Sequence, residues 1–234
     1  MSQLKALLFD VDGTLAETEH DGHRVAFNRT FAEHGLSWHW NESRYRELLE
    51  TSGSRERIAA YVRSDHPHWL NQTDATARIK QMHLDKNRHY AGLVVAGNIH
   101  LRPGVTALLK QAIAHNLRLA IVTTTHRSNV DALLAVTLDA ELRNAFQVFV
   151  TGEDVARKKP DPECYQLALH TLKLAPDETL AIEDSPNGLN AAHGAGIRSL
   201  IVPSVYFRDC DFAAADIVAS EFTDVSLSAL CQLP

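Results

Sequence analysis

Cysteine is scarce: Cys164, Cys210 and Cys231 are the only three in 234 residues, an odd number with no Cys-x-x-Cys spacing. That excludes a disulfide framework and argues against a zinc site, so the three read as packing residues in a reducing compartment. A basic block is also missing. Lys and Arg number 23 against 29 Asp and Glu, a formal charge of −6, which speaks against a dedicated nucleic-acid binder and leaves a small molecule as the expected partner. No stretch approaches the roughly 18 apolar residues of a membrane helix. The first apolar segment has Lys5 inside it and acids directly behind, unlike a signal peptide, so the expectation is a cytoplasmic protein with no membrane partner. The thirteen histidines, among them His20, His23, His66, His68 and His126, form no His-Glu-x-x-His pattern and read as surface or core polar residues.

What is present begins with Leu7-Leu8-Phe9-Asp10-Val11-Asp12-Gly13-Thr14-Leu15. The apolar run over 4–9 has the length of a buried strand, and it delivers two carboxylates into a turn that Gly13 permits. Two carboxylates about 4 Å apart repel by roughly 4 kcal/mol at an effective dielectric of 20. A hard divalent cation with oxygen ligands, such as Mg²⁺, would compensate them. At 234 residues the chain is long for one domain, which suits one domain plus an insertion.

From residue 18 to about 96 the apolar spacing predicts helices, at 18–34, 55–62 and 76–90, and no buried strand. Trp38 and Trp40 read as packing rather than as a sugar platform. From 101 onward helix and strand alternate, with strands expected at 117–122, 148–150 and 179–182 and edge strands at 199–202 and 216–218. Helices are expected at 104–115, 128–136, from Asp161-Pro162-Glu163 onward, at 187–195 and near 226–230. The pattern predicts an α/β fold: a doubly wound parallel sheet with helices on both faces. The helical stretch 18–96 then forms an insertion after the first strand, and 1–17 with 97–234 form the core.

In open parallel sheets ligands bind beyond the carboxyl ends of the strands. Four polar clusters follow apolar runs there: Asp10 and Asp12, Thr123-Thr124-Thr125, Lys158-Lys159-Pro160, and Glu183-Asp184. Together they suit a metal and phosphate site. Asp10, Asp184 and Glu183 can hold Mg²⁺, while Thr123 and the backbone N–H of Thr124, at a helix entrance, can donate to phosphate oxygens. Lys159, ahead of Pro160, supplies positive charge.

In that order the clusters resemble the four motifs of the haloacid dehalogenase-like hydrolases: Asp10-Val11-Asp12-Gly13-Thr14, Thr123, Lys159 and Glu183-Asp184. The helical insertion sits where that family carries its cap, and the resemblance covers nearly the whole chain. Leu15-Ala16-Glu17-Thr18-Glu19, Trp38-His39-Trp40 and Gly53-Ser54-Arg55-Glu56-Arg57-Ile58 further resemble the CbbY-type sugar-bisphosphate phosphatases, relatives of β-phosphoglucomutase. That group commonly shows Gly-Gly-Lys where Gly53-Ser54-Arg55 stands here.

The resemblance implies a phosphatase in which Asp10 attacks phosphorus and Asp12 serves as acid and then base. It places Mg²⁺ on Asp10, the Asp12 carbonyl and Asp184, with Glu183 acting through water. Glu17 and Arg55, with Arg57 behind them, are expected to read the far end of a sugar phosphate, for which xylulose 1,5-bisphosphate is the best-motivated candidate. A β-phosphoglucomutase-like mutase and, more distantly, a receiver-like phospho-aspartate switch are the alternatives. A monomer is expected, since a mobile cap requires little from a partner.

Overall fold

The computed structural model describes residues 3–232. Six parallel strands form one sheet: β1 Ala6–Phe9, β2 Arg118–Val122, β3 Phe146–Val150, β4 Thr179–Glu183, β5 Arg198–Ile201 and β6 Ile217–Val218, in the order β3-β2-β1-β4-β5-β6. All of Ala-Leu-Leu-Phe in β1 is buried, as a central parallel strand covered on both faces must be. Its period of two divides the core. Leu7 and Phe9 pack with Leu119, Ile121, Leu180 and Ile182 on one face, whereas Ala6 and Leu8 pack with Ala120, Val122 and Ala181 on the other.

The expectation of two edge strands near the C-terminus is half corrected. β5 is interior, because β6 pairs beside it and leaves Ser199, Leu200 and Ile201 with no exposure. The edges are β3 and β6.

Helices on both faces complete the α/β fold. Between β1 and β2 run α1 Arg24–Glu33, α2 Glu42–Leu48, α3 Ser54–Asp65, α4 Ala75–Val95 and α5 Val105–Ala114. After β2 come α6 Arg127–Thr137, α7 Ala140–Asn144, α8 Glu163–Leu172, α9 Pro186–Gly194 and α10 Leu227–Leu230. α1 is entered through a wider helical turn over Glu19–His23. α9 starts sharply because the Ser185 side chain accepts from the Gly188 N–H and Pro186 occupies the first turn.

The helices before α5 carry a further apolar cluster, built from Phe27, Phe31, Trp38, Trp40, Tyr45, Ile58 and Tyr61 and joined by Tyr206 from beyond β5. Trp40 is fully buried there, with its ring 4.6 Å from Phe27 and 4.8 Å from Phe31, so the tryptophan pair packs as the sequence suggested. Tyr90, Leu93 and Val94 of α4 instead join the core under the sheet. No helix among the described residues is long and apolar enough to cross a membrane, and the three cysteines are free thiols.

The strand order reverses direction at β1, since β2 and β3 extend to one side while β4 to β6 extend to the other. A crevice therefore opens beyond the carboxyl ends of β1 and β4. Asp10 follows β1 and Glu183-Asp184 stand at the end of β4, so topology brings acids 173 positions apart in sequence to one point.

Candidate active site

An open cleft of about 650 Å³ lies over this crevice, lined by Asp10, Asp12, Thr123, Thr124, Lys159 and Asp184 from the sheet side. Glu19, Glu50, Ser52 and Arg57 line it from the inserted helices, and Asn187 from the start of α9. The four separated sequence clusters thus converge on one cavity.

Lys159 is the hub. Its Nζ is buried and donates to Asp10 Oδ1 at 2.7 Å, to the Val122 carbonyl at 2.7 Å and to Glu183 Oε1 at 2.5 Å. Tyr165, from α8, donates its hydroxyl to the same Glu183 oxygen at 2.6 Å, and Lys159 Nζ lies 5.2 Å from the centre of the Tyr165 ring. Gly13 has φ +91° and packs flat against Asp184, where a Cβ would come within 2.1 Å of Oδ2. No other residue fits that turn without displacing the acid. Gly188 does the same for Glu183, at 1.9 Å.

Asp10, Glu183 and Asp184 each bring a carboxylate oxygen within 4.8 Å of the others, all three buried. One ammonium offsets one of these acids. Burial pushes Asp10 up to about 8, with the charges of Glu183 and Asp12 adding to the shift and Lys159 opposing it. Asp184 is raised well above its ordinary value by burial and by Asp10 and Glu183, against Ser204 and Arg102. Lys159 is moved the other way. Burial disfavours its charge, but Asp10 and Glu183 outweigh that and hold it protonated. Among the described residues Glu183 Oε2 has no hydrogen-bond partner. An excess of buried anionic oxygen with an unpartnered atom is a donor set that fits a hard divalent cation.

Asp12 stands in the opposite environment. Its Oδ1 accepts from the Thr18 hydroxyl at 2.6 Å and contacts His23 Nε2 at 2.9 Å. Lys86 Nζ, fully buried on α4, lies 2.7 Å from His23 Nδ1. An ammonium has no acceptor, so Nδ1 accepts and the His23 proton sits on Nε2, where it donates to Asp12. Tyr90 stacks on the His23 ring at 4.1 Å and fixes its plane. Burial alone would raise Asp12, but His23, which donates to it, the Thr18 bond and the charge of Lys86 together bring it below the usual carboxylate range. Burial lowers Lys86 in turn to about 8, opposed by the charges of Glu19 and Asp12.

Thr123 is buried at the end of β2, with its amide donating to the Val150 carbonyl at 2.9 Å and its hydroxyl accepting from the Thr125 N–H at 3.3 Å. Thr124 lines the cleft, yet it does not stand at a helix entrance. α6 starts three residues later and is capped by His126, whose ring accepts from the Ser128 N–H.

The expected substrate readers are redistributed. Glu17 does not line the cleft. Its carboxylate accepts from the Val205 N–H at 3.3 Å and faces Arg102, because Ala16 is held in bridges to Asp12 and Leu101 and turns the next side chain away. Arg55 is exposed and lies 3.6 Å from Glu56, at a second cavity shared with Lys80, His83 and Lys158. Arg57 takes the place expected for Arg55: it is buried, lines the cleft, donates to Leu48 and Thr51 carbonyls at 3.2 Å and stands 3.5 Å from Glu19. Tyr45 donates its hydroxyl to Glu19 Oε2 and completes that group.

Residues 7–202 match the family described as Haloacid dehalogenase-like hydrolase. The chain belongs to that family. Among its relatives, Protein CbbY of Rhodobacter capsulatus is 45% identical over 232 residues, covering 99% of this chain and 100% of the relative. Two crystal structures of CbbY from Rhodobacter sphaeroides also align. The complex with phosphate has a TM-score of 0.87 at 42% identity, covering 97% of this chain and 99% of that one. The complex of its mutant D10N with xylulose-(1,5)bisphosphate has a TM-score of 0.88 at 41% identity and the same coverage. This haloacid dehalogenase-like hydrolase is a phosphatase of the CbbY type. Sequence reasoning reached Asp10, Asp12, Lys159 and Asp184 but passed over Glu19, His23, Lys86 and Tyr165. His23 lies eleven residues beyond Asp12 and reaches it only through the wide turn over Glu19–His23, and Lys86 is a further 63 residues on.

Proposed function

We propose that the chain is a Mg²⁺-dependent phosphatase of a sugar bisphosphate such as xylulose 1,5-bisphosphate, acting through an aspartyl-phosphate on Asp10. The observation that carries this reading is the pairing of unlike acids on one turn, Asp10 bonded to Lys159 beside two further carboxylates and Asp12 bonded to a histidine backed by a lysine. The bisphosphate is supported by the relative solved with xylulose-(1,5)bisphosphate.

In this reading an Asp10 oxygen forms a bond to phosphorus as the bond from phosphorus to the sugar oxygen breaks. Protonated Asp12 passes its proton to that departing oxygen. His23 and Lys86 favour ionised Asp12 in the free enzyme, and the negative charge of a bound phosphate raises its proton affinity for this step. In the second step ionised Asp12 takes a proton from water, the new oxygen bonds to phosphorus, and Asp10 leaves as a carboxylate. Lys159 holds the Asp10 carboxylate in place and offsets the charge of the incoming phosphate. Mg²⁺ held by Asp10, Asp184 and the Asp12 carbonyl, with Glu183 acting through water, would supply the remaining positive charge, favouring ionised Asp10 and neutralising the phosphate.

Residues 18–96 serve as the cap in this scheme, with Glu19 and Arg57 facing the sugar end of the substrate and excluding bulk water. Lys158 to Glu56 at 2.9 Å and Asn187 to the Glu50 carbonyl at 3.1 Å support a closed cap, since each joins an inserted residue to a core residue. Net charge without a basic block and free thiols support a cytoplasmic enzyme for a small molecule, taken here as a monomer.

The test is phosphate release from sugar monophosphates and bisphosphates with and without Mg²⁺, with Asp10→Asn as the blank. Release that needs Mg²⁺ and Asp10 and is fastest with a pentulose bisphosphate is expected. Phosphate migration on the sugar without release would replace the phosphatase with a mutase. A phosphoprotein lasting hours would point to a receiver-like switch.

A further inference from the structure

Arg102 is one of the most buried cations in the molecule and takes no part in the chemistry above. It stands directly after Leu101, where the inserted segment returns to the core: Leu101 bridges to Ala16, and the Arg102 N–H donates to the Leu15 carbonyl at 2.8 Å. Its side chain is 3% exposed. The guanidinium bonds no carboxylate within ordinary hydrogen-bond distance, with Glu221 at 3.5 Å and Glu17 at 3.7 Å. It donates instead to three main-chain carbonyls: Gly13 at 2.6 Å and Val202 at 2.7 Å through Nη1, and Pro203 at 3.1 Å through Nη2.

Those carbonyls belong to the two segments that enclose Asp184. Gly13 lies flat against the Asp184 carboxylate, and Ser204, buried immediately after Pro203, donates its hydroxyl to it. The Val202 N–H is tied to the Glu183 carbonyl at 2.8 Å. One planar, rigid fork thus fastens the turn that follows the nucleophile to the segment that orients the second acid.

We propose that Arg102 is a positioning residue of the catalytic centre, pinning the Gly13 turn to the 202–204 segment so that Asp184 is held in place for a divalent cation. A lysine has the charge but cannot span three carbonyls, so Arg102→Lys separates geometry from electrostatics. The inference rests on the Mg²⁺ reading of the site, and metal affinity is sensitive to groups that orient a ligand, typically by 10- to 100-fold.

The experiment is calorimetric titration of Mg²⁺ alone into the full metal-free chain, for wild type, Arg102→Lys and Ser204→Ala. The Mg²⁺ dissociation constant is expected to weaken about tenfold or more in Arg102→Lys and about threefold or more in Ser204→Ala. At saturating Mg²⁺ the KM for a sugar phosphate is expected to stay within about twofold while kcat falls, because neither residue lines the cleft. A folded Arg102→Lys with a lowered Tm but unchanged Mg²⁺ affinity would overturn the proposal and leave a purely structural arginine. If that variant does not fold, Ser204→Ala decides alone, and unchanged affinity there overturns it equally. Wild type that binds no Mg²⁺ would instead overturn the cofactor reading on which the proposal rests.

Discussion

Asp10 and Asp12 are separated by one residue, yet they sit in two regions of opposite character. Around Asp10 the core supplies two more acids and a single lysine, and the group retains its proton up to about 8. Around Asp12 the inserted helices supply a histidine, a threonine hydroxyl and a buried lysine, and the group is held ionised. Identical side chains on one turn are thus given opposite proton affinities by the elements facing them. The acid-rich side suits a cation and a nucleophile, and the base-rich side suits proton transfer. The first is built by the sheet, whereas the second exists only where α4 and the turn over Glu19–His23 close over it.

Breaking the acid-rich side has the largest expected consequence. Asp10→Asn removes the attacking oxygen's charge, and a kcat lower by about 10⁴-fold or more is expected in a phosphate-release assay. Near-normal turnover in that variant would end the nucleophile assignment. Chelation of Mg²⁺ is expected to cost a comparable amount, reversible on adding the ion back.

On the base-rich side, Asp12→Ala is expected to lower kcat by about 10²- to 10⁴-fold. A gentler probe is His23→Phe, which keeps a ring against Tyr90 but removes the donor to Asp12. Loss of that bond favours the protonated carboxyl, so the limb of the pH–rate profile that Asp12 sets is expected to move to higher pH. The fall in kcat/KM should be about tenfold. An unmoved limb would mean that His23 does not set the proton affinity of Asp12.

Stability of the metal-free protein sharpens the comparison further. Asp10 binds its proton more tightly when folded than unfolded, so between about 4 and about 8 the folded state holds more protons and loses stability as pH rises. Asp12 is shifted the other way and contributes its change below that window. The Tm of Asp10→Asn minus that of wild type is therefore expected to grow from pH 4 to pH 8, and Mg²⁺ should shrink it. The smallest contrast lies between the two arginines: Arg57→Ala should raise KM by several-fold more than Arg55→Ala, as only Arg57 lines the cleft. Equal effects would return Arg55 to the substrate.

Much of the sheet was legible because its residues carry their signal locally. Leu7 to Phe9, Leu119 to Val122 and Leu180 to Ile182 are uninterrupted apolar runs, buried on both faces, each ending in the polar residues that form the cleft. The edge was harder to read. Ile217–Val218 is two residues long, and only its pairing with β5 distinguishes an interior strand from a last one. The inserted helices were readable as helices, but the direction of their side chains was not. Glu17 and Glu19 differ by two positions on the same entry, and a bridge at Ala16 sends one to Val205 while the wide turn sends the other to the cleft.

The order of the four polar clusters, each behind an apolar run, is a property of the chain alone. It determined a doubly wound sheet with its acids, threonine and lysine at the carboxyl edge, because strand length, side-chain period and turn chemistry act over a few residues. Tertiary structure decided which charges face which acid. His23 meets Asp12 and Lys86 meets His23, Arg102 meets the turn behind Asp184, and Tyr165 meets Glu183 across separations of 11 to 89 residues. Electrostatic coupling depends on distance and burial rather than on position along the chain, so the opposed proton affinities of Asp10 and Asp12 exist only in the folded molecule.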